Sequence, residues 1–321
     1  SRWCICASPT TARPAAIEKG ADERMKAKPK SSLLLRARRK WYIIPRELYL
    51  WFNIFLMLFP LYFMVISSMK TNAEFYNSAF ALPKEPWETL KANMTMAFTG
   101  KVGGVQYTGF GTMLFNTVFL SVVSLVVMVA VALLAGYAMG TRQFKGKALF
   151  TIFLLTIQTV PFFGYIMPMY LFVDKLELTN KLLGVGPLFV AVSLPSTIIL
   201  MQGFFSSFPK AIEEAALIDG CGEVRKLFHI VIPMAKGAIA SMAIINFMGY
   251  WNEVAISTLM LTDANLRTIN IGVLMTNTQT GIMNYSYVFA LLVLSAVPNF
   301  IFFTIFQKSI IGGISLGGVK G

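Results

Sequence analysis

Charge is scarce along the apolar body of this chain, and one short connector within it is dense in charge. Lys210, Glu213, Glu214, Asp219, Glu223, Arg225 and Lys226 all fall within the 24 residues "KAIEEAALIDGCGEVRKLFHIVIP" (210–233), between two stretches apolar enough to lie in lipid. The chemistry on offer there is docking rather than catalysis, since Glu214 presents a carboxylate to a basic partner. His229 is the only histidine, which excludes a multi-histidine metal site, and Cys4, Cys6 and Cys221 form no disulfide or metal framework. Clustered catalytic His, Asp or Cys are missing, which disfavours a membrane enzyme. "GTRQFKGKA" (140–148) imitates a phosphate loop, but its spacing is one residue too long, Ala148 replaces the Ser/Thr, and no strand precedes it. If nucleotide is used, another chain is expected to bind it, and this chain is expected to hold no cofactor or metal of its own.

The connector reads as two helices and a hinge. Pro209 suits a helix start, where its missing N–H costs nothing, and "KAIEEAALID" supplies strong helix formers before Gly220, the expected left-handed stop. Ile212, Ala215 and Ala216 share one stripe, with Glu213, Glu214 and Lys210 around it. Two turns of isolated helix are marginal in water, so this piece needs a groove to dock in. The second helix places Val224, Leu227, Phe228 and Val231 at i, i+3, i+4 and i+7, a stripe expected to pack on the bundle, and Pro233 is expected to end or bend it.

A second group of polar residues interrupts an apolar run. Asn246, Tyr250, Trp251, Asn252 and Glu253 are candidates for lining a solute pathway, with aromatic faces able to stack on C–H surfaces and amides able to bond hydroxyls. The alternative is that the aromatics are interfacial anchors. A carboxylate in a membrane is costly unless paired or hydrated, so Glu253 is expected to face a wet cavity or the outer mouth. Gln158, Ser193, Ser196 and Gln202 are weaker candidates.

The elements that must position these residues are membrane helices. Of 321 residues, 56% are hydrophobic and 13% charged, about half the charge of a soluble domain, and the mean hydropathy is +0.64. Six spans are predicted, at about 48–67, 113–138, 149–173, 185–205, 237–259 and 287–306, so the fold class is an all-α polytopic membrane protein. Ser, Ala and Gly positions in the second span permit close helix approach. Prolines fall inside four of the six, where bends either leave room for a pathway or reflect ordinary kinked packing.

The net charge of +13 is not a nucleic-acid footprint, because residues 1–47 hold 12 Lys/Arg against 4 Asp/Glu, ahead of the first span. The leader, the 139–148 loop, the 206–236 connector and the C-terminal tail together carry 21 Lys/Arg, against 7 in the alternate segments. Positive residues stay inside, so both termini and the connector are expected to be cytoplasmic. Residues 1–24 lack an apolar signal region and are expected to be a disordered extension, with a basic leader over 25–47 opening at Met25.

Glu214-Ala215-Ala216, three residues, Gly220, nine residues and Ile230-x-Ile232-Pro233 resemble the EAA signature of binding-protein-dependent ABC importer permeases, with the full spacing. The resemblance covers most of 48–321. "WNEVAISTLML" (251–261) and the ending "GGISLGGVKG" (312–321) look like the carbohydrate branch, the MalG-like maltose and oligosaccharide permeases. It implies a type I importer permease fold in a bacterial cytoplasmic membrane, and a permease domain over 48–311. It also implies a second permease subunit, two cytoplasmic ATPases carrying ATP and Mg, and an extracytoplasmic solute-binding protein that delivers the sugar. Glu213, Glu214, Ala215, Ala216, Asp219, Gly220, Ile230 and Pro233 would then couple the chain to the ATPases. Gly312, Gly313, Gly317 and Gly318 resemble a tail that enters between those ATPases, and the outer loop 262–286 would meet the binding protein. A permease for polyamine or another non-sugar solute is the competing reading. A secondary transporter is a weaker one, because mid-span Asp/Glu are almost absent apart from Glu253.

Overall fold

Helices dominate the computed structural model, which describes residues 31–102, 105–275 and 284–318. The extension expected over 1–24 lies outside these. The chain divides into two compact units, 1–62 and 63–321. Helix α1 (Ser31–Ser68) carries the first apolar span over Pro45–Ser68, and its helical backbone begins within the basic leader. Beyond it come α2 (Asn72–Asn77), α3 (Pro86–Thr99) and a two-residue antiparallel hairpin of β1 (Lys101–Val102) and β2 (Val105–Gln106). Helix α4 (Phe110–Thr141) is the second span, 32 residues long. At 1.5 Å per residue it is longer than the ~30 Å hydrocarbon layer requires.

The third span is not one helix. It is α5 (Lys147–Thr159) and α6 (Phe162–Lys175), bent by 101° at a break over Val160 and Pro161. Pro161 offers no N–H and drives Val160 into extended backbone, at φ −75° and ψ 123°. Each half is too short to cross a bilayer alone. Pro168 instead stays within α6, and α7 (Leu182–Ser206) keeps both Pro187 and Pro195 inside a continuous span.

The fifth span also departs from the expected 237–259. Helix α11 (Lys236–Trp251) stops eight residues early, and α12 (Ala255–Met260) resumes after a short break. After α13 (Ile269–Met275), the last helix, α14 (Tyr285–Gly318), includes the apolar span Tyr285–Gln307. Its helical backbone also takes in Gly312, Gly313, Gly317 and Gly318.

The centre of the larger unit is the packing of α4 on α7. Gly136 and Gly140, four apart on one face of α4, let the backbones meet: a Cβ on Gly136 would lie 2.3 Å from the Met201 Cβ, and one on Gly140 would lie 2.5 Å from the Phe205 Cβ. Small residues at i and i+4 are how membrane helices approach closely without a hydrophobic driving force between them. Tyr137 fills the space between them with an edge-on contact to Phe205, ring centroids 5.5 Å apart.

The helix ends opposite the 210–233 connector are fastened by polar side chains. Asn180 sits at φ 54°, and its side-chain oxygen accepts from the Thr262 and Asp263 amides at 2.7 and 2.9 Å. Asn116 donates to the carbonyls of Asn265 and Arg267, and Thr117 accepts from the Ile269 amide. Residues 262–263 are therefore tied to Asn180 and residues 265–269 to the N-terminal part of α4; residues 276–283 of the predicted 262–286 loop lie outside the described ones.

Gly136→Leu should lower stability by about 1–3 kcal/mol, the usual cost of overpacking, whereas Gly203→Ala, which meets nothing within 4 Å, should leave it nearly unchanged. Thermal unfolding of the two variants in detergent checks this.

Candidate functional site

The connector begins at Pro209, whose carbonyl accepts from the Ile212 amide at 3.1 Å. Helix α8 (Lys210–Ile218) follows and contains Glu213, Glu214, Ala215 and Ala216. Gly220 closes it at φ 69°. The Cys221 amide donates back to the Ala216 carbonyl and the Asp219 amide to the Ala215 carbonyl, at 2.9 and 3.0 Å. The first is the wrapped bond of a left-handed helix stop, a conformation most side chains resist, and the second is the last regular helical bond before it. Ala216 is buried and Ile212 half-buried, while Glu214, Ala215 and Asp219 are exposed. Ile218 is 87% exposed.

The second stretch is not the single amphipathic helix expected. It is α9 (Glu223–Lys226), a π-helical turn over Leu227–Val231, and α10 (Ile232–Met234). The π turn, closed by the Ile232 amide on the Leu227 carbonyl, precedes Pro233, which lacks the N–H that the fourth carbonyl back would use. Widening the helix shifts its faces, and the expected stripe splits. Leu227 and Val231 are buried, but Val224 and Phe228 stay 71% and 58% exposed. Ile230 is half-buried and Pro233 exposed. A 77° bend then turns the chain into α11 at the fully buried Ala235.

Sequence pattern alone missed an ion cluster that ties this connector to the end of α4. The Glu223 carboxylate lies 2.5 Å from the Arg142 guanidinium and 3.1 Å from the Lys226 ammonium. Arg142 caps α4, its amide donating to the Ala138 carbonyl. Its guanidinium holds the Glu223 carboxyl below the usual range. Lys226 is 1% exposed. Burial alone would lower its pKa, but the hydrogen bond to Glu223 helps outweigh that, and the value ends above the ordinary one. The signal in the sequence was there, as Arg142 and Glu223 are both in segments assigned to the cytoplasm, but 81 positions separate them.

The five predicted pathway residues are divided rather than gathered. Tyr250 is buried, stacked on Phe189 with centroids 5.4 Å apart, and shares a 2.5 Å hydrogen bond with the Ser193 hydroxyl. Asn246 donates to Thr197 at 3.2 Å and to the Met242 carbonyl at 2.9 Å. These groups form a polar seam between α7 and α11, to which Thr197 is an addition that sequence reading did not make. Trp251 faces elsewhere: it is 5% exposed, packs on Phe247 and gives its carbonyl to Asn270. It is a core residue, not an open stacking platform. Asn252 is exposed, and its side-chain amide donates to the Met248 carbonyl.

Glu253 has a structural task. One oxygen accepts from the Ile256 amide at 2.6 Å; the other accepts from the Ser257 amide and hydroxyl at 3.0 and 2.6 Å. A carboxylate on the free N–H groups of a helix start is favoured by both hydrogen bonding and the helix dipole. The expected wet cavity is not needed to account for it. A cleft of about 400 Å³ lies among Thr71, Asn72, Glu88, Thr89, Asn93 and Asn284, and none of the predicted pathway residues lines it.

A helical membrane body with broken spans and a charged, hinged connector between the fourth and fifth of them defines a transport permease. The chain belongs to the family described as binding-protein-dependent transport system inner membrane component, whose model matches residues 132–310. It is 29% identical to the diacetylchitobiose uptake system permease NgcG of Streptomyces coelicolor, over 82% of this chain and 84% of that one. It is 30% identical to the arabinooligosaccharides transport permease AraQ of Halalkalibacterium halodurans, over 84% and 94%. With the trehalose/maltose permease MalG of Thermococcus litoralis it shares 28% over 82% and 92%. A solved bacterial ABC transporter involved in importing the acidic polysaccharide alginate has the same fold, with a TM-score of 0.71, 20% identity, and coverage of 85% of this chain and 97% of that one.

Trp251→Ala should cost about 3–5 kcal/mol, as large-to-small changes in a core do, while Asn252→Ala should change stability by less than about 0.5 kcal/mol. Unfolding midpoints in detergent separate the two, and a fully stable Trp251→Ala protein would return Trp251 to the list of open contact residues.

Proposed function

We propose that this chain is a permease subunit of an ATP-driven, binding-protein-dependent importer that moves a carbohydrate, most simply an oligosaccharide, across the cytoplasmic membrane by alternating access. It works with a second permease subunit, with two cytoplasmic ATPases that bind ATP and Mg, and with an extracytoplasmic solute-binding protein. The observation that carries the reading is the connector. Its inner side is anchored by Ala216, Leu227 and Val231, while Glu214, Ile218, Val224 and Phe228 are left facing out. A cluster of exposed apolar side chains with a carboxylate beside it is what a partner's groove with a basic rim would cover. The relatives named for chitobiose, arabinooligosaccharides and trehalose or maltose support a sugar as the cargo.

In this mechanism the chain hydrolyses nothing. Closure of the ATPases around nucleotide pushes on α8, and the push reaches the spans through the connector's two ends. One end continues from α7 and the other enters α11 through the 77° bend at Ala235. The polar seam of Ser193, Thr197, Asn246 and Tyr250 lies between those two helices. Relative motion of α7 and α11 would expose these hydroxyl and amide groups, which suit sugar hydroxyls. With both termini and the connector cytoplasmic, the outer loops face the binding protein, and the Gly312–Gly318 end of α14 lies on the ATPase side.

The complex reconstituted in liposomes should take up an oligosaccharide, not a polyamine, and only with ATP inside. Glu214→Lys should reduce recovery of the ATPases with the permease by about tenfold, the effect of losing one charge-assisted contact. Gly220→Val should preserve assembly but lower transport per ATP, because a β-branched residue resists φ 69°. Accumulation by this chain with no ATPase present would end the proposal.

A further inference from the structure

We infer that Glu223 is a positioning residue for energy coupling: its carboxylate, held between Arg142 and Lys226, locks the connector to the α4–α7 helix pair so that motion of α8 is passed on rather than absorbed. The inference rests on the importer reading above and adds to it a specific contact made by a residue at a position the family-like signature leaves unspecified.

Three observations converge. The first is where the anchor stands. Arg142 ends α4, and within the last two turns of α4, Gly136 and Gly140 bring its backbone against Met201 and Phe205 of α7. An ion pair made there is made to the most closely packed helix pair of the larger unit. The second is the loop it closes. The connector leaves α7 at Ser206 and returns to the α4 end at Glu223, so the clasp joins both limits of the α8 segment to one rigid base. Without it, residues 219–222, with Gly220 in the left-handed region and Gly222 at φ −65° and ψ 157°, would form a swivel.

The third observation is the geometry around the carboxylate. Lys226 is buried, and Glu223, one turn before it, is the carboxylate it pairs with. A buried ammonium that loses its partner is costly, so Lys226 keeps the carboxylate in place, and the Arg142 guanidinium meets the same oxygen, Oε1. The π turn starts at the next residue, Leu227. Such turns are local departures often retained where a helix must shift register. A fixed point followed directly by a deformable turn is the arrangement a lever needs. Push on α8, and α9 cannot rotate freely, so the displacement passes to α4, α7 and the bend at Ala235.

The test uses the complete complex in liposomes and compares Glu223→Gln, Arg142→Gln, the double variant and Arg142→Lys. Glu223→Gln keeps an oxygen where the two cations meet and removes the charge they share. Assembly is measured by recovery of the ATPases, and coupling by solute taken up per ATP hydrolysed. Each Gln variant should assemble normally and lose about tenfold in coupling, the scale of one hydrogen bond to a charged group. The double variant should lose no more than either single one, because both remove one contact, and Arg142→Lys should stay within about threefold of the parent. Coupling at the parental level in either Gln variant would overturn the inference, as would multiplied losses in the double variant. Failure of both Gln variants to assemble would also overturn it, assigning the cluster to folding. Absence of ATP-dependent uptake by the parent complex would instead remove the importer reading itself.

Discussion

An amide or carbonyl without a partner costs several kcal/mol in hydrocarbon, and this single penalty governs where the chain is continuous and where it breaks. Continuous helices satisfy it automatically. Every interruption has to supply replacement partners or leave the apolar layer. At 252–254 the replacement is Glu253, whose two oxygens take the first amides of α12. At 160–161 it is proline itself, which brings no donor to satisfy. At 219–221 the helix stop of Gly220 returns two amides to carbonyls of α8.

Between continuous helices the same apolar medium removes the usual reason to associate, so contact depends on fit. Gly136 and Gly140 give α4 a surface without side chains, and α7 lies in it. This close contact lies near the connector: α7 leads into it, and α4 ends at the arginine that meets it. At the opposite helix ends the counterpart is a set of amide and hydroxyl side chains. Asn116, Thr117 and Asn180 tie the outer loops to helix ends, so residues that look like ligands for a polar solute are largely spent on backbone groups.

The distribution of charge completes the division of labour. Lys70, buried just beyond α1, gives its ammonium to the carbonyls of Ser78 and Ala79, and its pKa is lowered because burial outweighs the nearby Glu74. Lys226, buried in the connector, keeps a carboxylate partner and its pKa is raised. The first is a pin that fastens one short loop. The second belongs to a cluster joining two segments that are remote in sequence.

Composition and local pattern were enough to define a polytopic helical membrane protein, to place the α4, α7 and α14 spans within a few residues, and to locate the left-handed stop at Gly220. Hydropathy and backbone sterics act over a few neighbouring residues, so they are written in the sequence. The stripe of Val224, Leu227, Phe228 and Val231, the role of Glu253, the division of Tyr250 from Trp251 and the Arg142–Glu223 contact were decided only by the tertiary structure. Each depends on a partner outside the local repeat, on a π turn that rotates the helix faces, or on which neighbour a side chain meets across an interface. A periodic pattern cannot encode a partner 81 residues away; only packing brings it within 2.5 Å.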